Sequence, residues 1–376
     1  NIDDFVAALR KLPNNEPVAV VTHSVGNVHK KLSHAVVVSH AWSKIRIYTR
    51  NDRTGVWDRE KVEPDPRPAS TAPVNVKVAG LSDPRVGPSA ALSRAMVSVT
   101  ALQPVAYDGI YGIMYVDYGA VVDAERGLVL VSRRTIPLNI CCLTVTVGSS
   151  LALPAKLRFT HPTHNFAIIQ FDPKRIGANN LHQMTFSPHA LKQGDAAQVV
   201  TFNNQANPMC VSTVVSDMTE VQIDTQFPPS WRSINMETVQ FESRLVGDFR
   251  FGLVGDEEGR TSSFWVPFVG SQDNTFSGGL PALAVQPALQ ALQRGEEPRL
   301  RLLCIEVTSV GLSIARASGL SQRRFEEVQK ATTNRNTLFR IENVELLSRA
   351  HGVLQPLDII ISINGKLMLH VGDLEP

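Results

Sequence analysis

The sequence has few of the features that mark several common classes of protein. Four cysteines in 376 residues, at positions 141, 142, 210 and 304, are too few and too irregularly spaced for a disulfide framework or a CxxC zinc site. We expect them to be buried, reduced thiols. Acidic and basic residues nearly balance, with a formal net charge of +2, which gives no electrostatic indication of a nucleic acid or a membrane surface as partner. No apolar run approaches the ~20 residues that cross a bilayer.

The chain also lacks a recognisable targeting segment. It starts with Asn1 rather than methionine, and residues 1–11 already predict a helix with Ile2, Phe5 and Leu9 on one face. No signal or transit peptide is recognisable. Because the chain starts with a residue other than methionine and within a predicted helix, we expect it to be a piece of a longer protein.

What the sequence does contain is the composition of a folded chain of two or three domains, with 43% hydrophobic and 19% charged residues. Strand-like runs at 17–23 and 34–40 follow the predicted helix. Residues 63–93 are rich in proline and predict a linker. We therefore assign residues 1–62 to a first, incomplete domain.

Residues 94–298 carry many short β-branched runs separated by turn residues, with no helices between them. Examples are GLVLVS, LTVTVGSS, NFAIIQF, AAQVVTF and EVQIDT. Short, evenly spaced strands of this kind predict an antiparallel barrel or sandwich. The region ends in QPALQALQRGEE, where leucines at helical spacing predict a helix that stops at Gly295.

Residues 299–376 predict a third unit that contains both strands and a helix. RLRLLCIEV and VLQPLDIIISINGKLM predict strands, and RRFEEVQKA predicts a helix. The elements that this unit lacks are of the kind predicted at the start of the chain. We infer an internal repeat of domain pairs.

Four stretches resemble a known family. VLQPLDIIISINGKLM is similar to the signature of HtrA/Deg-type PDZ domains, and AWSKIRIYTRNDRTGVWD resembles the junction between PDZ and protease domains. Residues 109–172 and 277–320 are similar to the second, protease-like repeat of the large two-repeat HtrA-like serine proteases of fungi and plants, which include a nuclear pro-apoptotic type. The resemblance implies a mainly β fold, a trypsin-like double β-barrel flanked by partial PDZ-like αβ domains.

A trypsin-like protease needs a serine nucleophile, a histidine base and an aspartate that orients the histidine. The resemblance aligns the histidine position, in GLVLVSRRTI, with Arg134 and the aspartate position, in NFAIIQF, with Asn165. An arginine cannot act as a general base near neutral pH. Asparagine could orient a histidine, but this alignment supplies none.

The nucleophile position aligns with GDFRFGLVGDEEGRTSSF, which sets it at or beside Phe249. No serine lies between Gly247 and Gly259, so a shifted register supplies none either. Arg250 and Phe251 replace the paired glycines of the family, which shape the loop that aims two N–H groups at the oxyanion. We predict that no catalytic triad is present.

Ser277-Gly278-Gly279 matches the tripeptide around the nucleophile of trypsin-like proteases, but it follows the aligned nucleophile region. One hypothesis makes Ser277 a relocated nucleophile of an active hydrolase, with His161 or His164 as base. The simpler interpretation makes it a polar loop residue before two glycines that allow a close backbone approach.

The same two histidines, three residues apart, could indicate a metal site. No third histidine or nearby cysteine accompanies them, so we predict a hydrogen-bonded turn, no metal and no cofactor. His182, His189, Asp172 and Asp195 are predicted to be loop and turn residues.

PDZ domains bind peptide C-termini by adding a strand to a sheet edge. The resemblance assigns the peptide groove to Leu302, Leu303, Cys304 and Ile305, where the glycine of the family's carboxylate-binding loop is missing. Either an altered groove or a plain edge strand follows from these residues.

The resemblance implies that this chain is the non-catalytic half of an ATP-independent serine endopeptidase whose first repeat cleaves substrates. Expected partners are peptides or unfolded proteins, the upstream catalytic repeat and further copies of the same chain. The expected compartment is the nucleus, with the plastid as the alternative. The other hypotheses are the active hydrolase that uses Ser277 and a peptide-binding PDZ scaffold.

Overall fold

The computed structural model describes residues 19–24, 27–33, 45–62 and 73–374, except 104–109, 111, 178–179, 204, 224–230, 243–249, 270–274 and 333–335. Contacts divide the chain into two compact units, Asn1–Ala72 and Pro73–Pro376. The helix predicted over residues 1–11 and the strand predicted over 34–40 lie outside the described residues.

The first unit contains two antiparallel hairpins. Strand β1 (Ala19–Ser24) pairs with β2 (Asn27–Ser33), and β3 (Ile45–Arg50) pairs with β4 (Trp57–Val62). β1 overlaps the strand predicted over 17–23, whereas β2 occupies residues between the two predicted strand-like runs.

The second unit begins with a closed six-stranded barrel in the order β10-β7-β6-β5-β8-β9. Its strands are β5 (Met96–Leu102), β6 (Met114–Asp123), β7 (Leu128–Val131), β8 (Cys142–Val147), β9 (Leu151–Thr160) and β10 (Ala167–Phe171). Alternate valine and isoleucine side chains point inward, among them Val99, Val121, Val129, Val145 and Ile169.

A second closed barrel follows in the order β11-β12-β13-β16-β15-β14. Its strands are β11 (Ala196–Phe202), β12 (Pro208–Glu220), β13 (Glu237–Phe241), β14 (Gly252–Gly255), β15 (Thr261–Val269) and β16 (Thr275–Pro281). EVQIDT, residues 220–225, does not form the predicted strand in its described part. Glu220 is the last residue of β12, and residues 221–223 belong to no strand. The mainly β, double-barrel fold is confirmed.

One apolar core runs between the barrels and includes Leu130, Phe166, Phe251 and Phe264. Helix α1 (Gln286–Gln293) buries Leu289 and Leu292 in this core and is followed by Gly295 at φ +77°, the left-handed conformation that ends a helix. A 3₁₀ segment, Pro84–Ala95, adds Leu92 to the same core. Part of the proline-rich segment therefore packs on the barrels instead of acting only as a linker.

The last elements form the small αβ unit expected of a partial PDZ-like domain. They are β17 (Ile305–Gly311), α2 (Leu312–Ala317), α3 (Gln322–Ala331), β18 (Thr337–Val344), β19 (Ile359–Ile360), β20 (Ser362–Ile363) and β21 (Lys366–Leu367). Helix α3 matches the prediction and starts after the capping residue Ser321, whose hydroxyl accepts a hydrogen bond from Arg324 N. The strand predicted over 299–307 begins only at Ile305.

The expectation of buried thiols is wrong. All four cysteines are free, Cys142 and Cys304 are exposed, and Cys141 and Cys210 are half-buried. In β8 the inward positions belong to Leu143, Val145 and Val147, so Cys142 takes the outward face of the barrel.

Candidate functional site

The turn after β7 carries the position aligned with a catalytic histidine. Residues 132–136 form tight turns in which Thr135 N donates to Ser132 O at 3.0 Å and Ile136 N donates to Arg133 O at 3.0 Å. The side chain of Arg134 is exposed. An arginine guanidinium can supply positive charge, but it cannot serve as the general base that takes a proton from a nucleophile.

Asn165, at the position aligned with the catalytic aspartate, is only 2% exposed, and both the oxygen and the nitrogen of its amide form hydrogen bonds. Its Oδ1 accepts hydrogen bonds from Ser132 Oγ at 2.9 Å and from Arg133 N at 3.0 Å. Its Nδ2 donates to Pro267 O in the second barrel at 2.7 Å. The fold thus brings the two aligned segments together, and the amide links the barrels.

The position aligned with the nucleophile, Phe249, lies outside the described residues. Its described neighbours do not form a glycine loop. Arg250 is exposed and donates from Nη1 to Val116 O at 2.7 Å, and Phe251 is fully buried in the core between the barrels. Strand β14 begins at the next residue, Gly252.

Sequence reasoning missed Asp117 of β6, which lies in this region and is only 7% exposed. Its carboxylate accepts hydrogen bonds from Tyr118 N at 2.8 Å and Thr135 Oγ1 at 3.2 Å. Burial raises the pKa of Asp117 to about 6, although Arg250 and Arg134 oppose the rise. The signal in the sequence is the position of Asp117 in the middle of MYVDYGAVVD, among residues that are mostly apolar or aromatic.

His161 and His164 stack with ring centroids 4.2 Å apart in the turn before β10. Nδ1 of His161 accepts a hydrogen bond from His164 N at 2.8 Å. Burial lowers the pKa of His161 to about 2 and that of His164 to about 4, so both are neutral at pH 7. Among the described residues, no group of three or more His, Cys, Asp or Glu side chains could hold a metal ion.

Arg133 lies beside this turn. Its guanidinium donates to the carbonyl of His161 and lies 4.5 Å from the ring centroid of Trp231. Burial lowers the pKa of Arg133 to about 10, which leaves it charged at neutral pH. The turn is therefore held by the guanidinium of Arg133 and by the hydrogen bond from His164 N to Nδ1 of His161.

Ser277 lies within β16, opposite Pro267 of β15. Gly279 approaches β13 so closely that a Cβ there would come within 3.1 Å of Val239 Cβ, and a Cβ on Gly278 would come within 3.0 Å of Thr238 Cβ. The two glycines allow strands to pack at the closure of the second barrel.

The residues assigned to a peptide groove line a cleft of about 310 Å³ in front of β17. Leu303 and Cys304 are exposed, Leu302 is half-buried, and Ile305 is buried in the core of the last unit. Cys304 has φ +54°, a left-handed conformation that is uncommon for residues other than glycine.

The chain is similar throughout its length to curated fungal proteins. It is 30% identical over 393 residues to "Pro-apoptotic serine protease nma111" of Aspergillus terreus and 31% identical over 391 residues to NMA111 of Coccidioides immitis, each alignment covering 100% of this chain and 37% of the relative. A "PDZ domain-containing protein" of Schizosaccharomyces pombe is 30% identical over 382 residues and is covered to 38%.

Over its whole length the chain is therefore similar to relatives named as serine proteases and, in one case, as a PDZ domain-containing protein. It spans little more than a third of the length of these relatives. No family model matches the sequence.

The HtrA fold is also found among solved structures. "HtrA-type protease AlgW with tripeptide" aligns with a TM-score of 0.50 and 16% identity, covering 74% of this chain and 83% of that one. Within the described residues of this HtrA-like chain, no helix has the length and apolar character needed to cross a membrane.

Proposed function

We propose that this chain is the non-catalytic half of an HtrA/Deg-like, ATP-independent serine endopeptidase. It serves assembly, substrate holding or regulation, while another repeat of the parent protein cleaves peptide bonds. The observation that carries the proposal is Asn165, whose amide bonds Ser132, Arg133 and Pro267 where a protease would use aspartate to hold a histidine.

The surrounding residues support the same conclusion. Arg134 offers no base, and Phe251 is buried where the family has a glycine that shapes the oxyanion loop. The triad assignment to Arg134, Asn165 and Phe249 is part of this proposal, since Phe249 lies outside the described residues.

The proposal divides the chain as the sequence suggested. Residues 1–62 end one PDZ-like domain and its junction, and 63–93 are the linker, whose last part also packs on the barrels. Residues 94–298 are the degenerate protease domain, and 299–376 start a second PDZ-like domain. The AlgW structure was solved with a tripeptide, and by analogy the segment Leu302–Ile305 contacts peptides or unfolded proteins here. Homo-oligomers, contact with the upstream catalytic repeat and a nuclear location complete the proposal.

Digestion of β-casein tests the proposal. We expect no fragments from the 376-residue chain at pH 7.5 under conditions in which an active HtrA-type protease degrades casein completely. Ser277→Ala serves as the control variant, since it removes the one serine with a protease-like context. Fragments that appear with the parent chain and disappear with the variant would contradict the proposal and restore Ser277 as a nucleophile.

A further inference from the structure

A cleft of about 610 Å³, here called the α1 cleft, lies between the second barrel, helix α1 and the segment that follows α1. Its volume falls within the range of about 300–1,000 Å³ that is usual for small-molecule sites. Arg134 and Asn165 are not among the described residues that line it. The α1 cleft is therefore separate from the positions that the protease alignment assigns to the triad.

Most of the wall of the α1 cleft is apolar. Met236 and Leu280 of the second barrel and Ala288 of helix α1 are almost fully buried there. Leu283 lies at the open side and is 42% exposed. Methionine and leucine side chains adapt to the shape of an inserted chain, and covering them removes apolar area from water. The wall thus fits an apolar chain.

Two arginines border the same cleft. Arg299 and Arg301 are exposed and lie two residues apart in the segment after α1, which forms no strand. The carboxylate of Glu296, which lies near Arg299, pairs with Arg294 at 2.9 Å. A guanidinium binds a carboxylate through two parallel N–H groups. The open side of the α1 cleft therefore offers positive charge beside an apolar wall.

The other ionisable groups do not cancel this charge. Among the described residues that line the α1 cleft, Glu237 is the single acid, and it is paired with Nδ1 of His370 at 3.2 Å. His161 and His164 also line the cleft, and they are neutral at pH 7 because burial lowers their pKa values to about 2 and about 4. Two arginines and one acid leave a formal charge of +1.

We infer that the α1 cleft binds a medium-chain fatty acid, with its chain on the apolar wall and its carboxylate on Arg299 and Arg301. An alcohol of the same length would fill the wall without reaching an ion pair, and a small anion would do the reverse. A fatty acid uses both parts of the cleft. This binding site goes beyond the proposed function and does not depend on it.

The first test separates the head group from the chain. Isothermal titration calorimetry at pH 7.5 measures the Kd of the 376-residue chain for sodium octanoate and for 1-octanol. The double variant Arg299→Gln/Arg301→Gln should raise the Kd for octanoate about 10-fold and leave that for octanol within about twofold. Arg323→Gln/Arg349→Gln is the matched control, since it removes two exposed arginines outside the cleft and should change neither Kd by more than about twofold.

A second pair of variants tests the wall. Leu283→Asp places a carboxylate at the open side of the α1 cleft and should raise the Kd for octanoate at least about fivefold. Leu346→Asp makes the same change at a residue that is 72% exposed and lies outside the cleft, so it should leave the Kd unchanged.

Three results would overturn the inference. They are the absence of octanoate binding by the parent chain, binding of octanoate no tighter than that of octanol, and equal octanoate affinities in the parent and both cleft variants. The proposed function is tested separately, because casein cleavage would remove the non-catalytic assignment without changing the affinity for octanoate.

Discussion

Asn165 makes three hydrogen bonds, two as acceptor and one as donor. A carboxylate could keep the bonds from Ser132 and Arg133 but could not donate to Pro267 O. The hydrogen bond from Asn165 to Pro267 O therefore requires an amide. An aspartate carboxylate, as found at this position in active proteases, could not form it.

Asn165→Asp should lower the free energy of unfolding by roughly 2–3 kcal/mol, because it leaves the buried Pro267 carbonyl unsatisfied. Urea denaturation followed by tryptophan fluorescence measures the change. The exposed control Asn343→Asp should stay within about 0.5 kcal/mol. A fully stable Asn165→Asp protein would mean that the amide does not join the barrels.

Asp117 gives a pH-dependent prediction. Its pKa in the folded protein, about 6, lies above the ordinary 3.8. The stabilisation from its protonated form is therefore complete below pH 4 and is lost as pH rises through 6.

Asp117→Asn should be more stable than the parent at pH 7 by about 3 kcal/mol, since each pKa unit corresponds to 1.36 kcal/mol. The difference should vanish near pH 4. The buried histidines change the stability of both proteins alike, so the comparison isolates Asp117. Thermal melts at pH 4, 5, 6 and 7 measure it, and a difference that is the same at every pH would contradict the assignment.

At the scale of elements, β16 closes the second barrel between β13 and β15. Gly279 in its centre faces Val239 on one neighbour and Trp265 on the other. The close approach explains why a strand with the sequence SGG is stable here although glycine favours other conformations.

Gly279→Ala should destabilise the protein by about 1–3 kcal/mol, because the new Cβ would be 2.8 Å from Ser263 Oγ and 3.1 Å from Val239 Cβ. Ser277→Ala, two residues away in the same strand, should change stability by less than about 0.5 kcal/mol. Urea midpoints of both variants measure this contrast. Equal effects would show that Gly279 is not tightly packed.

Elements with local signals could be predicted from the sequence. The leucine spacing before Gly295 gave helix α1, and the β-branched runs gave β7, β8, β10 and β11. Residues 299–304 were predicted to form a strand because leucine alternates with arginine there. They form none, since no strand of the described residues pairs with them. Apolar alternation specifies a strand only where a neighbour can pair with it.

At the scale of the molecule, the informative contacts join residues far apart in the chain. Asn165 meets Pro267 across 102 residues, and Asn235 meets Ile305 across 70. No local pattern reports such contacts, so sequence reasoning missed both the buried Asp117 and the bond from Asn235 to Ile305.

The central claim is that the chain contains no activated serine. Treatment of the 376-residue chain with a fluorophosphonate probe, followed by mass spectrometry of its peptides, tests this directly. The account predicts no modified serine, with an active HtrA-type protease labelled in parallel. Labelling of Ser277 that is lost in Ser277→Ala would contradict it, and so would stable labelling of any other serine.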